Sequence, residues 1–200
     1  MNREGRVTRL EQVQDPPLVC VVGFSGTGKT TLIEKLIPVL KTHGLRVGCI
    51  KHDAHGFEMD RPGKDSWRHK QAGASATLVS SPGRIGMVMD VEYDHDPGEL
   101  KKFLDTVDII LAEGYKRSNH PKLEVFRKDL RDEPVCKGDD HLLAVISHTP
   151  VKWGGACFSP DDTDGLARFL IKTFHLASGN APSGETIQAP QAVGNHTHTV

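Results

Sequence analysis

The sequence predicts a three-layer α/β domain with a mostly parallel sheet. Near-continuous apolar runs of strand length recur along the chain, the pattern of strands buried on both faces. Segments with apolar residues three and four apart alternate with them, and such alternation builds parallel sheets with helical cover. A third observation sets the chemistry at the sheet edge. Gly23-Phe24-Ser25-Gly26-Thr27-Gly28-Lys29-Thr30 fits the Walker A pattern G-x-x-x-x-G-K-[ST] at every fixed position.

Residues 1–16 are polar and read as an N-terminal extension, closed off by Pro16-Pro17. The domain proper is expected over 17–176. Its first strand is Leu18-Val19-Cys20-Val21-Val22, running straight into the glycine loop. Gly23, Gly26 and Gly28 let the backbone curl so that the N–H groups of Ser25, Gly26, Thr27 and Gly28 face phosphate oxygens. The loop ends at a helix N-terminus, whose free N–H groups and dipole favour an anion. Lys29 adds a point charge for the β- and γ-phosphates, and Thr30 adds a hydroxyl for Mg²⁺. A chance glycine turn would not carry Lys-Thr in register between an apolar strand and an apolar helix.

The following helix places Leu32, Leu36 and Leu40 on one face, with Pro38 expected to kink it and Gly44 to end it. Leu45–Ile50 reads as a short strand. Residues His52–Lys64 are polar and turn-rich, an exposed loop. A helix over Asp65–Gln71 follows, with Asp65 as its N-cap. Ala76–Val79 and Ile85–Met89 read as strands around a Ser81-Pro82-Gly83 turn. Glu99–Leu104 is a short helix, Val107–Ala112 a buried strand, Lys122–Phe126 an alternating strand and His141–Ile146 another buried one. Asp161–Phe174 is the last helix. Residues 177–200 hold no aromatic residue and one charged side chain, Glu185. That segment reads as a disordered tail, because it has too little apolar surface to offset its ordering entropy.

A net charge of −1 and a sequence pI of about 6.8 give no global field toward nucleic acid or an anionic membrane. No apolar run approaches the ~20 residues of a bilayer span, and the first residues lead into no signal-peptide core. A cytoplasmic protein is expected, with Cys20, Cys49, Cys136 and Cys157 as reduced thiols. They form no C-x-x-C pair, and those in strands are expected to be buried.

A second acidic group is required near the metal, at the end of a buried strand. Ile109-Ile110-Leu111-Ala112-Glu113-Gly114 supplies Glu113. It can hold Mg²⁺ with Thr30 or orient an attacking water; the plain alternative is a solvated strand-end carboxylate. The loop after the second strand carries Lys51, Arg61 and Lys64 for phosphates, and Asp53, Asp60 and Asp65 for Mg²⁺. His52 and His55 are possible transition-metal ligands, although two ligands do not complete a tetrahedral site. A merely solvated loop is the competing reading.

The strings GFSGTGKTTL, IKHDAHGF, DRPGKDSWRHKQAGA and DIILAEGYK resemble the molybdopterin-guanine dinucleotide biosynthesis adaptor family, MobB. The likeness runs over about Pro17–Phe174 and extends to HLLAVIS and FSPDDTDGLARFL. It implies a P-loop GTPase fold, GTP with Mg²⁺, slow hydrolysis, and a homodimer with strand exchange. It also implies assistance to MobA, the guanylyltransferase that attaches GMP to molybdenum cofactor. Gly26, Gly28, Lys29, Thr30 and Thr31 match the family's phosphate loop, and Glu113 its strand-end acid. His52, His55, Asp60, Lys64, Asp65 and Ser66 match its signature loop. No N/T-K-x-D string occurs, so the choice of GTP is carried by the resemblance. Two other classes remain open at this point: a P-loop small-molecule kinase, for which no arginine-rich lid is evident, and a metal-delivery GTPase, for which the eleven histidines are too spread out.

Overall fold

The structure, a computed structural model, describes residues 15–177. The extension and tail expected from sequence therefore lie almost wholly outside the described residues. Six strands form one sheet: β1 (Leu18–Val22), β2 (Val47–Lys51), β5 (Ile109–Glu113), β6 (Lys122–Val125), β7 (Leu142–Ile146) and β8 (Ala156–Phe158). Their order is β2-β5-β1-β6-β7-β8, and every pairing is parallel. Two further strands, β3 (Ala76–Ser81) and β4 (Arg84–Met89), pair antiparallel as a separate hairpin. Among the described residues no helix is long and apolar enough to cross a membrane.

Alternate residues of each central strand feed two cores, because successive side chains point to opposite faces. On one face Val19, Val21, Ile109, Leu111, Leu123 and Val125 pack beneath α1 (Lys29–Thr42) and α4 (Thr163–Thr173). The helices contribute Leu32, Leu36, Leu40, Leu166 and Leu170. On the other face Cys20, Val22, Ile110 and Ala112 are covered by Phe126, Cys136, Leu104, Val107 and Trp153. That cover comes largely from connecting segments. One of them holds α3 (Pro97–Leu100) and its 3₁₀ continuation, Lys101–Phe103.

Several expected boundaries move for local reasons. Leu45 closes α1 rather than opening β2: its N–H bonds the Leu40 carbonyl at 3.2 Å and its side chain is buried. The short helix begins at Pro97, two residues early, because Asp96 and Glu99 form a capping box across its first turn. Asp65 is not the N-cap of α2 (Asp65–Gln71) but its first helical residue; Lys64 is the cap and gives no side-chain bond. Helix α1 runs on through Pro38. The edge strand β8, three residues long and half exposed, has no counterpart in the sequence expectations. Among the four free cysteines, Cys20 and Cys136 are buried. Burial pushes both thiols up, that of Cys136 to about 11. Cys49 and Cys157 lie on the two edge strands and are exposed.

Two charges lie inside the sheet. An alternating strand ordinarily turns its polar positions to solvent, but β6 is central, so Lys122 and Glu124 are both buried. Lys122 Nζ pairs with Asp139 at 2.9 Å and donates to the Ser118 carbonyl. The Glu124 carboxylate accepts from the backbone N–H groups of Val135 and Cys136, the latter at 2.8 Å. These bonds fix the loops on either side of β6. Replacing Lys122 with Ala should lower the unfolding free energy by about 2–4 kcal/mol, because it strips Asp139 of its partner and empties a filled site. Urea denaturation measures this; an unchanged midpoint would show that the pair contributes nothing.

Candidate nucleotide-binding site

Strand β1 lies between β5 and β6, with Val21 level with Glu113 on one side and Leu123 on the other. The glycine loop therefore leaves the sheet at the rim where β5 and β6 also end. Ligands bind at that carboxyl edge in open parallel sheets. Gly23 has φ 142°, and a Cβ there would collide with the Val125 carbonyl oxygen. Only glycine lets the loop pass this close to β6. Gly28, at φ 99°, is the N-cap of α1 and supplies no side-chain cap. The first-turn N–H groups are thus left for an anion.

Inside the loop, Thr27 is buried and its hydroxyl donates to the Phe24 carbonyl at 3.0 Å. Lys29 Nζ arches back over the loop to the carbonyls of Gly23 and Phe24, at 3.3 and 3.0 Å. Phosphate oxygens are better partners for an ammonium than these neutral carbonyls. Thr30 Oγ1 donates to both oxygens of Glu113, at 3.0 and 2.9 Å. A hydroxyl and a carboxylate this close form a hard-oxygen pair suited to Mg²⁺, which needs only one or two protein oxygens beside phosphates and waters.

Two cavities flank the loop. One, of about 570 Å³, opens on the side of Gly28, Thr31 and Lys35 and is walled by Arg127, Asp129, Ser147 and His148. These residues follow β6 and β7 at the same rim, where a base and ribose would lie. The second, of about 640 Å³, opens on the Lys29 side and is walled by His52, residues 94–96 and residues 114–118. There His52 Nε2 lies 2.9 Å from Asp94, and its ring packs on Tyr115 with centroids 4.8 Å apart. His120 bonds Asp96 at 2.7 Å. Burial raises the Asp96 carboxyl, but the bonds from His120 and the Gly98 N–H outweigh it and leave it below the usual carboxylate range. Tyr115 is pushed up to about 12 by burial and the nearby acids Asp94 and Asp96, with Cys20, so its phenol stays a donor.

The structure gathers Gly23, Ser25, Gly26, Thr27, Gly28, Lys29, Thr30, Thr31 and Glu113 in one place, with His52 beside them. Lys51 is level with Glu113 at the end of β2 and is exposed. His55 is exposed in an Asx-type turn, its N–H bonding Asp53 at 2.9 Å. Asp60 lies instead beside the hairpin, in a small cavity with Thr77 and Val88. Lys64 is an exposed cap of α2. Neither flanking cavity includes Lys51, His55, Asp60 or Lys64. The cavity walls at Arg127–Asp129 and Tyr115–Ser118 went unassigned in the sequence. Their signal is their place just beyond a strand's carboxyl end.

The glycine loop, the uncapped helix and the strand-end acid on a parallel sheet define a P-loop nucleotide-binding fold. The family model for molybdopterin guanine dinucleotide synthesis protein B, MobB, matches residues 18–148, and the chain belongs to that family. It is 38% identical over 168 residues to the molybdopterin-guanine dinucleotide biosynthesis adapter protein of Escherichia coli K12, covering 82% of this chain and 96% of that one. Among solved structures it resembles Bacillus subtilis MobB, with TM-score 0.62 and 31% identity over 82% of this chain and 99% of that one. A crystal structure of molybdopterin-guanine biosynthesis protein B gives TM-score 0.64 and 26% identity over 78% and 99%. The resemblance read from the motifs holds.

Lys29→Ala should weaken triphosphate binding by roughly 10- to 150-fold, the loss of one charge-assisted contact of about 1.5–3 kcal/mol. Stability should hardly change, since Lys29 bonds only to loop carbonyls. Calorimetry checks the first and thermal denaturation the second; full affinity in the folded variant would remove Lys29 from the site.

Proposed function

We propose that the chain is a cytoplasmic GTP-binding adaptor that assists a MobA-type guanylyltransferase in attaching GMP to molybdenum cofactor, and that it hydrolyses GTP slowly. The observation that carries this reading is the Thr30–Glu113 contact beside a phosphate loop whose helix N-terminus is uncapped. Family membership and the adapter names of its relatives support the pathway. Arg127, Asp129 and His148 are the side chains placed to select the base.

In this reading the loop N–H groups and Lys29 hold the phosphates. Thr30 and Glu113 turn from each other to hold Mg²⁺, which neutralises charge developing between the β- and γ-phosphates. Slow hydrolysis is carried by the family resemblance; two further carboxylates, Asp94 and Asp96, line the cavity that Lys29 also lines and are hydrogen-bonded to His52 and His120. Among the described residues no group of three or more His, Cys, Asp or Glu gathers to hold a metal ion.

The hairpin supports a homodimer. A two-stranded hairpin is marginal alone, and this one exposes Leu78, Val79, Ile85, Met87 and Met89. A second copy of the chain is the occupant that the family resemblance implies for such a face. Ile85→Asp with Met87→Asp should therefore yield monomers in sedimentation velocity; an unchanged sedimentation coefficient corresponding to a dimer would move the interface elsewhere.

Glu113→Gln should cut Mg²⁺-dependent hydrolysis by at least about tenfold while nucleotide affinity changes by less than about threefold, because the carboxylate's role grows as charge develops. Equal turnover would leave Glu113 a plain strand-end acid. The function itself is tested in cells lacking the gene: guanylylated molybdenum cofactor should fall, and recover with the wild-type chain but not with Lys29→Ala. Normal cofactor in the deleted cells would overturn the proposal.

A further inference from the structure

The 640 Å³ cavity on the Lys29 side has a wall whose charges do not cancel. The two acids of that wall, Asp94 and Asp96, are each hydrogen-bonded to a histidine, His52 and His120. Lys116 and Arg117 also line it, and neither has a hydrogen bond or ion pair among the described residues. With Lys29 they make three cations against two carboxylates on the cavity wall.

The backbone there is unusual as well. Gly114 and Tyr115 take positive φ in succession, 104° and 57°. A left-handed conformation is uncommon for a bulky residue and costs roughly 1–3 kcal/mol. It persists here because the Tyr115 ring is held against His52, and because a Cβ on Gly114 would lie 3.1 Å from that of His52. This turn carries Lys116 and Arg117 to the mouth of the cavity. The N–H groups of Tyr115, Lys116 and Arg117 donate to nothing among the described residues. Successive free N–H groups in a turn form an anion-binding concavity. The Tyr115 hydroxyl is likewise unbonded there.

Lys29 lines this cavity, and Thr27 and Gly28, just before it, line the other. With a nucleotide's base on the Arg127 side, its terminal phosphate points toward the Tyr115 side. We propose that this second cavity binds a phosphate monoester of a small molecule at the same time as the nucleotide. Lys116, Arg117 and the turn's N–H groups hold the phosphate, and the Tyr115–His52 pair faces the organic part. The simultaneous occupancy rests on the nucleotide reading given above; the anion site itself does not.

Phenyl phosphate and inorganic phosphate are the probes, titrated calorimetrically into the full chain saturated with Mg²⁺ and a non-hydrolysable GTP analogue. Phenyl phosphate is expected to bind once per chain, and more tightly than inorganic phosphate. The double variant Lys116→Ala, Arg117→Ala should weaken it at least about tenfold, while affinity for the GTP analogue stays within about twofold. Both side chains are exposed, so the variant keeps its fold. Tyr115→Ala should erase the preference for the ester over free phosphate. Absence of phenyl phosphate binding to the loaded chain, displacement of the GTP analogue by it, or full affinity in the double variant would each overturn the proposal. A chain that binds no GTP analogue would overturn the proposed function instead, and the same variants titrated without nucleotide then decide the anion site.

Discussion

The parallel register of β1 between β5 and β6 is the constraint on which the site depends. It brings three strand ends to one rim, so the loop after β1, the carboxylate ending β5 and the turn after β6 meet there. Hydrophobic burial on both faces enforces the register, because a slip by one residue would exchange the two cores. Leu18, Cys20 and Val22 face one core while Val19 and Val21 face the other. The close pass of Gly23 over the Val125 carbonyl then locks the loop to β6. Chemistry at the rim is thus set by packing several residues away.

The rim carries polar groups that are satisfied by one another in ways a ligand can replace. Lys29 rests on loop carbonyls and Thr30 on Glu113. A phosphate would give the Lys29 ammonium an ionic partner in place of neutral carbonyls. The buried Lys122 and Glu124 play a different part, since their partners are loop backbone and Asp139 inside the fold. The Lys122 bond to the Ser118 carbonyl ties down one wall residue of the second cavity. The second cavity draws wall residues from His52 and Ala54, at the start of the exposed loop over residues 52–64, and from Asp94–Asp96, a few residues beyond the hairpin in sequence.

Much of this was legible in the sequence, for physical reasons. The fully buried strands β1, β5 and β7 announce themselves as apolar runs, and the glycine loop has a fixed spacing because phosphate geometry is fixed. Glu113 was legible because an apolar run delivering a carboxylate before glycine has few other uses. The remainder depends on long-range placement. Lys122 and Glu124 read as ordinary alternating residues until β6 takes a central position. The sequence does not say that β3 and β4 leave the sheet, since pairing partners are not local. Lys51, His55, Asp60 and Lys64 share a charged loop with His52. Only the path of that loop separates His52, at the second cavity, from Asp60, beside the hairpin. Tyr115–Arg117 carry no local pattern; their importance comes from a backbone turn that a string of residue types does not encode.

The central claim is that the rim forms a two-sided nucleotide site with Thr30 and Glu113 at its metal. A crystal structure with Mg²⁺ and a non-hydrolysable GTP analogue tests it most directly. The account predicts phosphates on the loop N–H groups and Lys29, the metal at Thr30 and Glu113, and the base among Arg127, Asp129 and His148. A base lying on the Tyr115 side, or a Glu113 still bonded to Thr30 with the metal held elsewhere, would contradict it.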